Sequence, residues 1–120
     1  MPFHLYWGDD EAARSRAIEA LIDKLIDPTW GSINLSRLDG NDAGQAVQAL
    51  AEARTPPLGS GARVVILQRS PFCNQCPAEL AEQLESGLDV LPETCHLVLV
   101  NPGKPDARLR TTKALQKLVK

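Results

Sequence analysis

Four apolar runs alternate with segments of helical periodicity, and this alternation constrains the fold of the 120-residue chain more than any other feature. The runs are FHLYW (3–7), SINLSRL (32–38), RVVILQ (63–68) and CHLVLV (95–100). The last two are almost continuously apolar, which is typical of strands buried on both faces of a sheet. Strands that alternate with helices pair in parallel through right-handed crossovers. The sequence therefore predicts an α/β fold, a three-layer sandwich around a parallel sheet.

The segments between the runs predict amphipathic helices at 10–26, 43–54, 77–88 and 108–120. The apolar stripe predicted for the first helix consists of Ala13, Ala17, Ile18, Leu21, Ile22 and Leu25. The stripe predicted for the second consists of Ala46, Val47, Leu50 and Ala53. Asp9 or Asp10 is placed to cap the first helix, and the turn DGND (39–42) supplies cap residues for the second.

The composition excludes several classes of protein. The formal net charge is −2, so no overall basic field attracts nucleic acid or anionic lipid. No apolar run approaches the ~20 residues of a membrane-spanning helix, and the first residues lack the basic region of a signal peptide. Three cysteines fit poorly with a secreted disulfide scaffold. We therefore expect a cytoplasmic protein with no membrane partner.

The turn after the first run occupies the position of a phosphate loop in nucleotide-binding α/β proteins. Such a loop needs G-x-x-x-x-G-K-[ST], in which glycine amides, a lysine and a hydroxyl hold the phosphates and the metal. Here Gly8 is followed by three acids at 9–11, with no second glycine and no lysine–hydroxyl pair. The third run ends in Gln68, Arg69 and Ser70, without the acid that holds magnesium in an NTPase. We expect no nucleotide, no other cofactor and no catalytic residue at this turn.

The cysteines leave three interpretations open. Cys73 and Cys76 form a C-x-x-C motif before Pro77, where the third helix is predicted to begin, and a thiol at a helix N-terminus can have a lowered pKa. The chain could then be a small α/β enzyme of thiol-redox chemistry. Zinc bound by these thiols with Cys95 and His96 is a second possibility, but adjacent strand residues point to opposite faces. The third interpretation, a loop with two incidental thiols and no metal, is the one we favour.

The stretch TPPLGSGAR (55–63) is the most distinctive loop. Two prolines stiffen the backbone, Leu58 follows, and Gly-Ser-Gly supplies a flexible exit. A stiff loop that carries one exposed apolar residue can fill a pocket of a partner protein, and such anchors dominate interface energies. The alternative is a plain connection from helix to strand, with Leu58 folded back onto the core.

A second loop, NPGKPDARLR (101–110), is rich in proline and glycine and is followed by a basic helix. A contact with DNA or with another subunit is one interpretation of the basic residues of this loop and helix, which are Lys104, Arg108, Arg110 and Lys113. The alternative, a solvated turn, is favoured by the residues alone.

Several of these stretches together resemble one known family, the delta subunit of the bacterial DNA polymerase III clamp loader. The stretches are FHLYWGDD at the start, RLDG at 37–40, ALAEARTPPLGSGARVVIL at 49–67 and CHLVLVNPGKPDARLRTTKALQK at 95–117. They occur in the order and with the spacing of that family's motifs, and the match as a whole extends over nearly all of the chain. Each motif alone is weakly specific, whereas the ordered series is fairly specific.

The resemblance implies the fold and the organisation of the chain. It implies a P-loop NTPase (AAA+)-like module with strand order 5-1-4-3-2 that has lost ATP binding. The family is much longer than this chain. Residues 1–120 are therefore expected to be a single AAA+-like N-terminal domain, a fragment of a longer chain that lacks strand 5 and keeps the order 1-4-3-2.

The resemblance also implies a non-catalytic function in DNA replication. Delta subunits bind the ring-shaped sliding clamp and open one of its interfaces, so that the polymerase assembly can load the clamp on primed DNA. The clamp-contacting apolar pair corresponds to Pro57 and Leu58, preceded by Thr55 and Pro56. Many members carry a Leu-Phe-like pair, so Pro57 is a departure that shifts the contact toward Leu58. The expected partners are the sliding clamp, the other clamp-loader subunits and, through the assembly, primed DNA.

Overall fold

The computed structural model describes residues 3–7, 10–70, 82–84 and 94–101, and the structural statements below concern these residues. The elements are β1 (Phe3–Tyr6), α1 (Glu11–Leu25), a 3-10 turn (Pro28–Trp30), α2 (Gly31–Asn34), β2 (Leu35–Asp39), α3 (Ala43–Ala53), β3 (Arg63–Gln68) and β4 (Cys95–Val100). Residues 82–84 are helical and fall inside the predicted helix 77–88. The rest of that helix and the predicted helix 108–120 lie outside the described residues.

The described strands form one four-stranded sheet in the order β1-β4-β3-β2, and every neighbouring pair is parallel. In the register of this sheet, Leu97 of β4 lies beside Phe3 of β1 and Val65 of β3. The two almost continuously apolar strands, β3 and β4, are therefore the central ones, where both faces are covered. The predicted α/β class, the parallel pairing and the order 1-4-3-2 are confirmed.

Side chains of the central strands alternate between two apolar clusters, one on each face of the sheet. The first cluster joins α1 to the sheet and contains Ile18, Ile22, Ile26, Val64, Ile66, Val98 and Val100. The second joins α3 to the sheet and contains Ala46, Ala49, Leu50, Ala53, Val65, Leu67, Leu84, Leu97 and Leu99. Helices thus cover both faces, which confirms the three-layer sandwich.

The two described long helices begin at the predicted caps. A side-chain oxygen of Asp10 accepts a hydrogen bond from the backbone N–H of Ala13 at 2.9 Å, and Asp42 caps α3 in the same way. The predicted stripes need two corrections, because Ala17 is exposed on α1 and Ala49 is buried on α3. No helix among the described residues is long and apolar enough to cross a membrane.

The second strand begins later than predicted. The sequence predicts a single strand over 32–38, yet β2 begins at Leu35 and the residues before it are helical. Asp27 accepts a hydrogen bond from the backbone of Thr29, and Pro28 opens the 3-10 turn, so the chain first turns helically. The first strand ends one residue earlier than predicted, at Tyr6 instead of Trp7.

Because all the strands run in one direction, their ends define two edges of the sheet. The carboxyl edge carries the turns that leave the strands and the N-termini of α1 and α3. The amino edge carries the end of α1, the short helix α2 and the connection from α3 to β3. Ligands of open α/β sheets usually bind at the carboxyl edge. The two edges therefore provide the natural frame for locating a functional site.

Candidate protein-contact site

The connection from α3 to β3 lies at the amino edge, and we call its residues 55–62 the Leu58 loop. It holds the four predicted contact residues, Thr55, Pro56, Pro57 and Leu58. At its start, the Cys95 thiol donates a hydrogen bond to the carbonyl oxygen of Thr55 at 3.1 Å. At its end, the backbone N–H of Ala62 donates to the carbonyl oxygen of Leu25, the last residue of α1, at 3.0 Å. Both ends of the loop are therefore attached to the folded core.

The middle of the Leu58 loop is held by the side chain of Asn34. The Asn34 side-chain oxygen accepts from the Leu58 backbone N–H at 2.9 Å, and the Asn34 amide nitrogen donates to the Leu58 carbonyl oxygen at 2.8 Å. Asn34 is fully buried, whereas Leu58 is 54% exposed. The backbone of Leu58 is thus held in place, while about half of the residue is exposed to solvent. The alternative in which Leu58 folds onto the core is wrong.

The glycines after Leu58 permit a close approach to the rest of the amino edge. Gly59 has a φ of +68°, and an added Cβ would lie 2.1 Å from a ring carbon of Trp30. Gly61 has a φ of +86°, and an added Cβ would lie 2.8 Å from the backbone nitrogen of Asp27. Only glycine adopts these conformations at low cost. The Gly-Ser-Gly stretch is therefore explained by close packing rather than by the flexible exit predicted from the sequence.

Exposed apolar surface is found at both edges. The described residues include three exposed large apolar side chains: Trp7, Ile33 and Leu58. Ile33 precedes Asn34 in α2 and follows Trp30 by three residues, which places Ile33 and Trp30 on one side of the helical turn. Trp30 lies against Gly59, so Ile33 belongs to the same region as Leu58. Thr55 and Pro56 are also exposed, whereas Pro57 is half-buried.

At the carboxyl edge, the start of α1 is occupied by the chain's own carboxylate. The hydrogen bond from Ala13 to Asp10 uses one of the N–H groups that a phosphate would need. Glu11 adds a second negative charge in this first turn. Gly8 and Asp9 lie outside the described residues. An anion that approached α1 would therefore meet acids and a donor that is already bonded.

The end of β3 carries a cation where an NTPase carries its magnesium-binding acid. Arg69 follows β3 with a φ of +50° and donates from Nε to a carboxylate oxygen of Asp39 at 3.0 Å. Its Nη2 donates to the second carboxylate oxygen of the same side chain. The hydrogen bonds from Arg69 lower the pKa of Asp39. The carboxylate of Asp39, at the end of β2, is thus bound by the arginine that follows the neighbouring strand.

Cys95 and His96 point to opposite faces of the sheet, as predicted. The Cys95 thiol is buried and bonded to the Leu58 loop, and burial raises its pKa. On the other face, a ring nitrogen of His96 lies 3.0 Å from a ring nitrogen of His4. Burial is the largest cause that lowers the pKa of both rings, for His4 to about 4. Among the described residues, no three metal-binding side chains lie together.

Several predicted residues fall outside the described part of the chain. Cys73 and Cys76 are among them, so all three interpretations of the cysteines, including the favoured one of two incidental thiols, stay hypotheses drawn from the sequence. The basic residues Lys104, Arg108, Arg110 and Lys113 are also among them, and their possible contact with DNA or another subunit stays a prediction as well.

Sequence reasoning missed Asn34 and Trp30 as residues that build this site. The available signal was the polar Asn34 inside an apolar run, because a buried amide needs hydrogen-bonding partners. Its partner is 24 residues away in the sequence, so that signal does not identify Leu58.

Comparisons with known proteins agree with the observed fold. The family described as DNA polymerase III, delta subunit, matches residues 4–120. The solved structure of the Bacillus subtilis DNA clamp loader delta protein (YqeN) is similar with a TM-score of 0.76 and 25% sequence identity. The similarity covers 98% of this chain and 36% of that protein, so the chain spans about a third of its length. A comparison with curated protein sequences gave no significant match.

Proposed function

Because the chain belongs to the DNA polymerase III delta subunit family, we propose that it binds and opens a DNA sliding clamp through the Leu58 loop. The observation that carries this proposal is an exposed leucine on a backbone that the core holds in place. An apolar side chain that is already ordered loses little conformational entropy when it enters a pocket. Leu58 therefore has the properties of an anchor residue in a protein–protein interface.

Opening the ring requires more than affinity for the clamp. A bound protein shifts an equilibrium only by the difference between its affinities for the two states. The Leu58 loop would therefore bind the open ring more tightly than the closed ring. The attachment of the loop to α1, β4 and Asn34 supports this role. A loop that the core holds in one conformation can fit one state of the ring better than the other.

The proposed role is non-catalytic. Its support comes from the carboxyl edge, where Asp10 occupies the start of α1 and Arg69 stands at the end of β3. The chain would act as an accessory subunit in the polymerase assembly, in the cytoplasm.

We further propose that the chain corresponds to the N-terminal domain of the longer subunit. Its other partners would be the remaining clamp-loader subunits and, through the assembly, primed DNA. The basic residues Lys104, Arg108, Arg110 and Lys113 are proposed for these contacts. If they contact DNA, binding of DNA should weaken steeply as the salt concentration rises.

The test is a titration of the chain against its cognate sliding clamp. We expect Leu58→Ala to weaken clamp binding by about 1–3 kcal/mol, because the substitution removes the apolar anchor. Trp7→Ala is the matched control, since Trp7 is a similarly exposed apolar residue at the opposite edge. This control should leave the affinity unchanged. Equal affinities of the Leu58→Ala variant and the unmodified chain would contradict the proposed contact.

A further inference from the structure

Asn34 is buried completely, although it ends a helix of only four residues at the edge of the fold. Burial of an amide is costly unless its oxygen and nitrogen both find partners. Here both partners belong to a single residue, Leu58. The side chain thus holds the N–H and the carbonyl on either side of one α-carbon.

This double contact restricts the two backbone angles of Leu58. A strand does the same for a residue of its neighbour, and here one side chain supplies both the donor and the acceptor. Trp30 extends the support, because it stands one helical turn before Asn34 and lies against Gly59. The 3-10 turn and α2, which precede β2, therefore hold the backbone of residues 58 and 59 in place.

We propose that Asn34 is a positioning residue for the clamp contact: it orders Leu58 before the clamp arrives, and so it raises the affinity without touching the clamp. This inference rests on the proposed function of Leu58. Without Asn34, the loop would lose conformational freedom at the moment of binding, and this loss would be subtracted from the binding free energy.

The first experiment needs neither a variant nor the clamp. Hydrogen exchange on the unmodified chain reports whether the Leu58 amide is held, because only opened amides exchange. We expect the Leu58 amide to exchange at least about tenfold more slowly than the amide of an unstructured peptide. Exchange at the rate of an unstructured peptide would show that Asn34 does not order Leu58, and the proposal would be wrong.

The second experiment is a double-mutant cycle measured by titration against the cognate clamp. We expect Asn34→Ala to weaken binding about tenfold when Leu58 is present, which corresponds to the ordering cost of a short segment. In the Leu58→Ala background the same substitution should have almost no effect, because there is no anchor left to position. An equal loss in both backgrounds would indicate a general structural role and would overturn the proposal.

Two further variants complete the design. Asn34→Asp keeps the size and the acceptor for the Leu58 N–H but has no hydrogen for the Leu58 carbonyl, so it should also weaken binding. Asn41→Ala is the matched control, since Asn41 is an exposed asparagine in the turn between β2 and α3. The affinity of this variant for the clamp should equal that of the unmodified chain. If Leu58→Ala alone leaves the affinity unchanged, the proposed clamp contact itself is wrong. If Leu58→Ala weakens binding and Asn34→Ala does not, only the positioning role is wrong.

Discussion

The two edges of the sheet use the same kinds of residues for opposite purposes. At the carboxyl edge, polar side chains bind each other or the adjacent backbone, as Asp10 does with Ala13 and Arg69 with Asp39. At the amino edge, the polar side chain of Asn34 binds a backbone that presents an apolar residue to solvent. The first arrangement uses the polar groups within the fold, and the second leaves an apolar side chain exposed.

Under the proposed function, the fold acts through a protein contact at the amino edge and not through a ligand at the carboxyl edge. The carboxyl edge usually binds ligands because strand ends and helix N-termini meet there. When acids occupy these positions, phosphate is repelled and the fold remains intact. The amino edge is not the place where such folds usually bind ligands, so its connections can carry a contact for another protein.

The largest effect is expected at Gly59. We expect Gly59→Ala to lower the free energy of unfolding by about 2–3 kcal/mol, because a left-handed φ and an overlap with Trp30 combine. The measurement is a denaturant titration, followed by hydrogen exchange at the Leu58 amide, which should become faster.

Gly31→Ala is the matched control for this substitution. Gly31 lies next to Trp30 in the chain, has helical angles, and an added Cβ would meet its nearest neighbour at an ordinary 3.5 Å. This control should be neutral or slightly stabilising, since alanine favours helices. A Gly59→Ala variant as stable as the Gly31→Ala variant would show that the Leu58 loop is not held against Trp30.

A second effect is expected from the two histidines, which lie at the amino ends of β1 and β4. Burial lowers the pKa of His4 to about 4, so the folded protein binds fewer protons than the unfolded chain between this value and the ordinary 6.5. The stability is therefore fully present above about pH 6.5 and declines as the pH falls toward 4. Since both rings are half exposed, we expect a loss of about 1–2 kcal/mol between about pH 7.5 and about pH 5.

Denaturant titrations at the two pH values measure this loss. The chain contains only two histidines, so removal of one should reduce the effect visibly. His4→Gln should flatten the dependence of stability on pH in this range. The same pH dependence in the His4→Gln variant would assign the loss to other groups.

Most of the sheet could be predicted from the sequence. The bounds of β3 and β4 match the apolar runs 63–68 and 95–100, because strands buried on both faces consist almost entirely of apolar residues. The start of β2 could not be predicted in this way. Ser32 and Ile33 fit a strand as well as a helix, and the choice depends on the capped turn before them and on Asn34.

The site was predictable only in part. Two prolines and a leucine were enough to identify the Leu58 loop, because proline restricts the backbone locally. Its exposure and its attachment depend on Asn34, Cys95 and Leu25, which are distant in the sequence. Contacts of this kind follow from the tertiary fold, and a local pattern does not contain them.

The smallest effect is expected at Asp10, which lies at the carboxyl edge. We expect Asp10→Ala to lower the free energy of unfolding by about 1 kcal/mol, because the substitution removes the N-cap of α1. Asp10→Asn keeps the capping acceptor and loses only the charge, so it should cost less. Asp23→Ala, on the exposed side of the same helix, controls for the loss of an acid without a cap.

The same variants test whether the carboxyl edge still accepts a nucleotide. Thermal unfolding with ATP and magnesium should give the same melting temperature as without them, for the unmodified chain and for Asp10→Ala. Removal of the acid frees the N–H of Ala13, but the end of β3 still presents Arg69 where a magnesium ligand is needed. A rise in melting temperature with ATP in the Asp10→Ala variant alone would mean that a single carboxylate separates this edge from a working nucleotide site. A rise in the melting temperature of the unmodified chain with ATP would show that the carboxyl edge binds a nucleotide. The proposed contrast between the two edges would then be wrong.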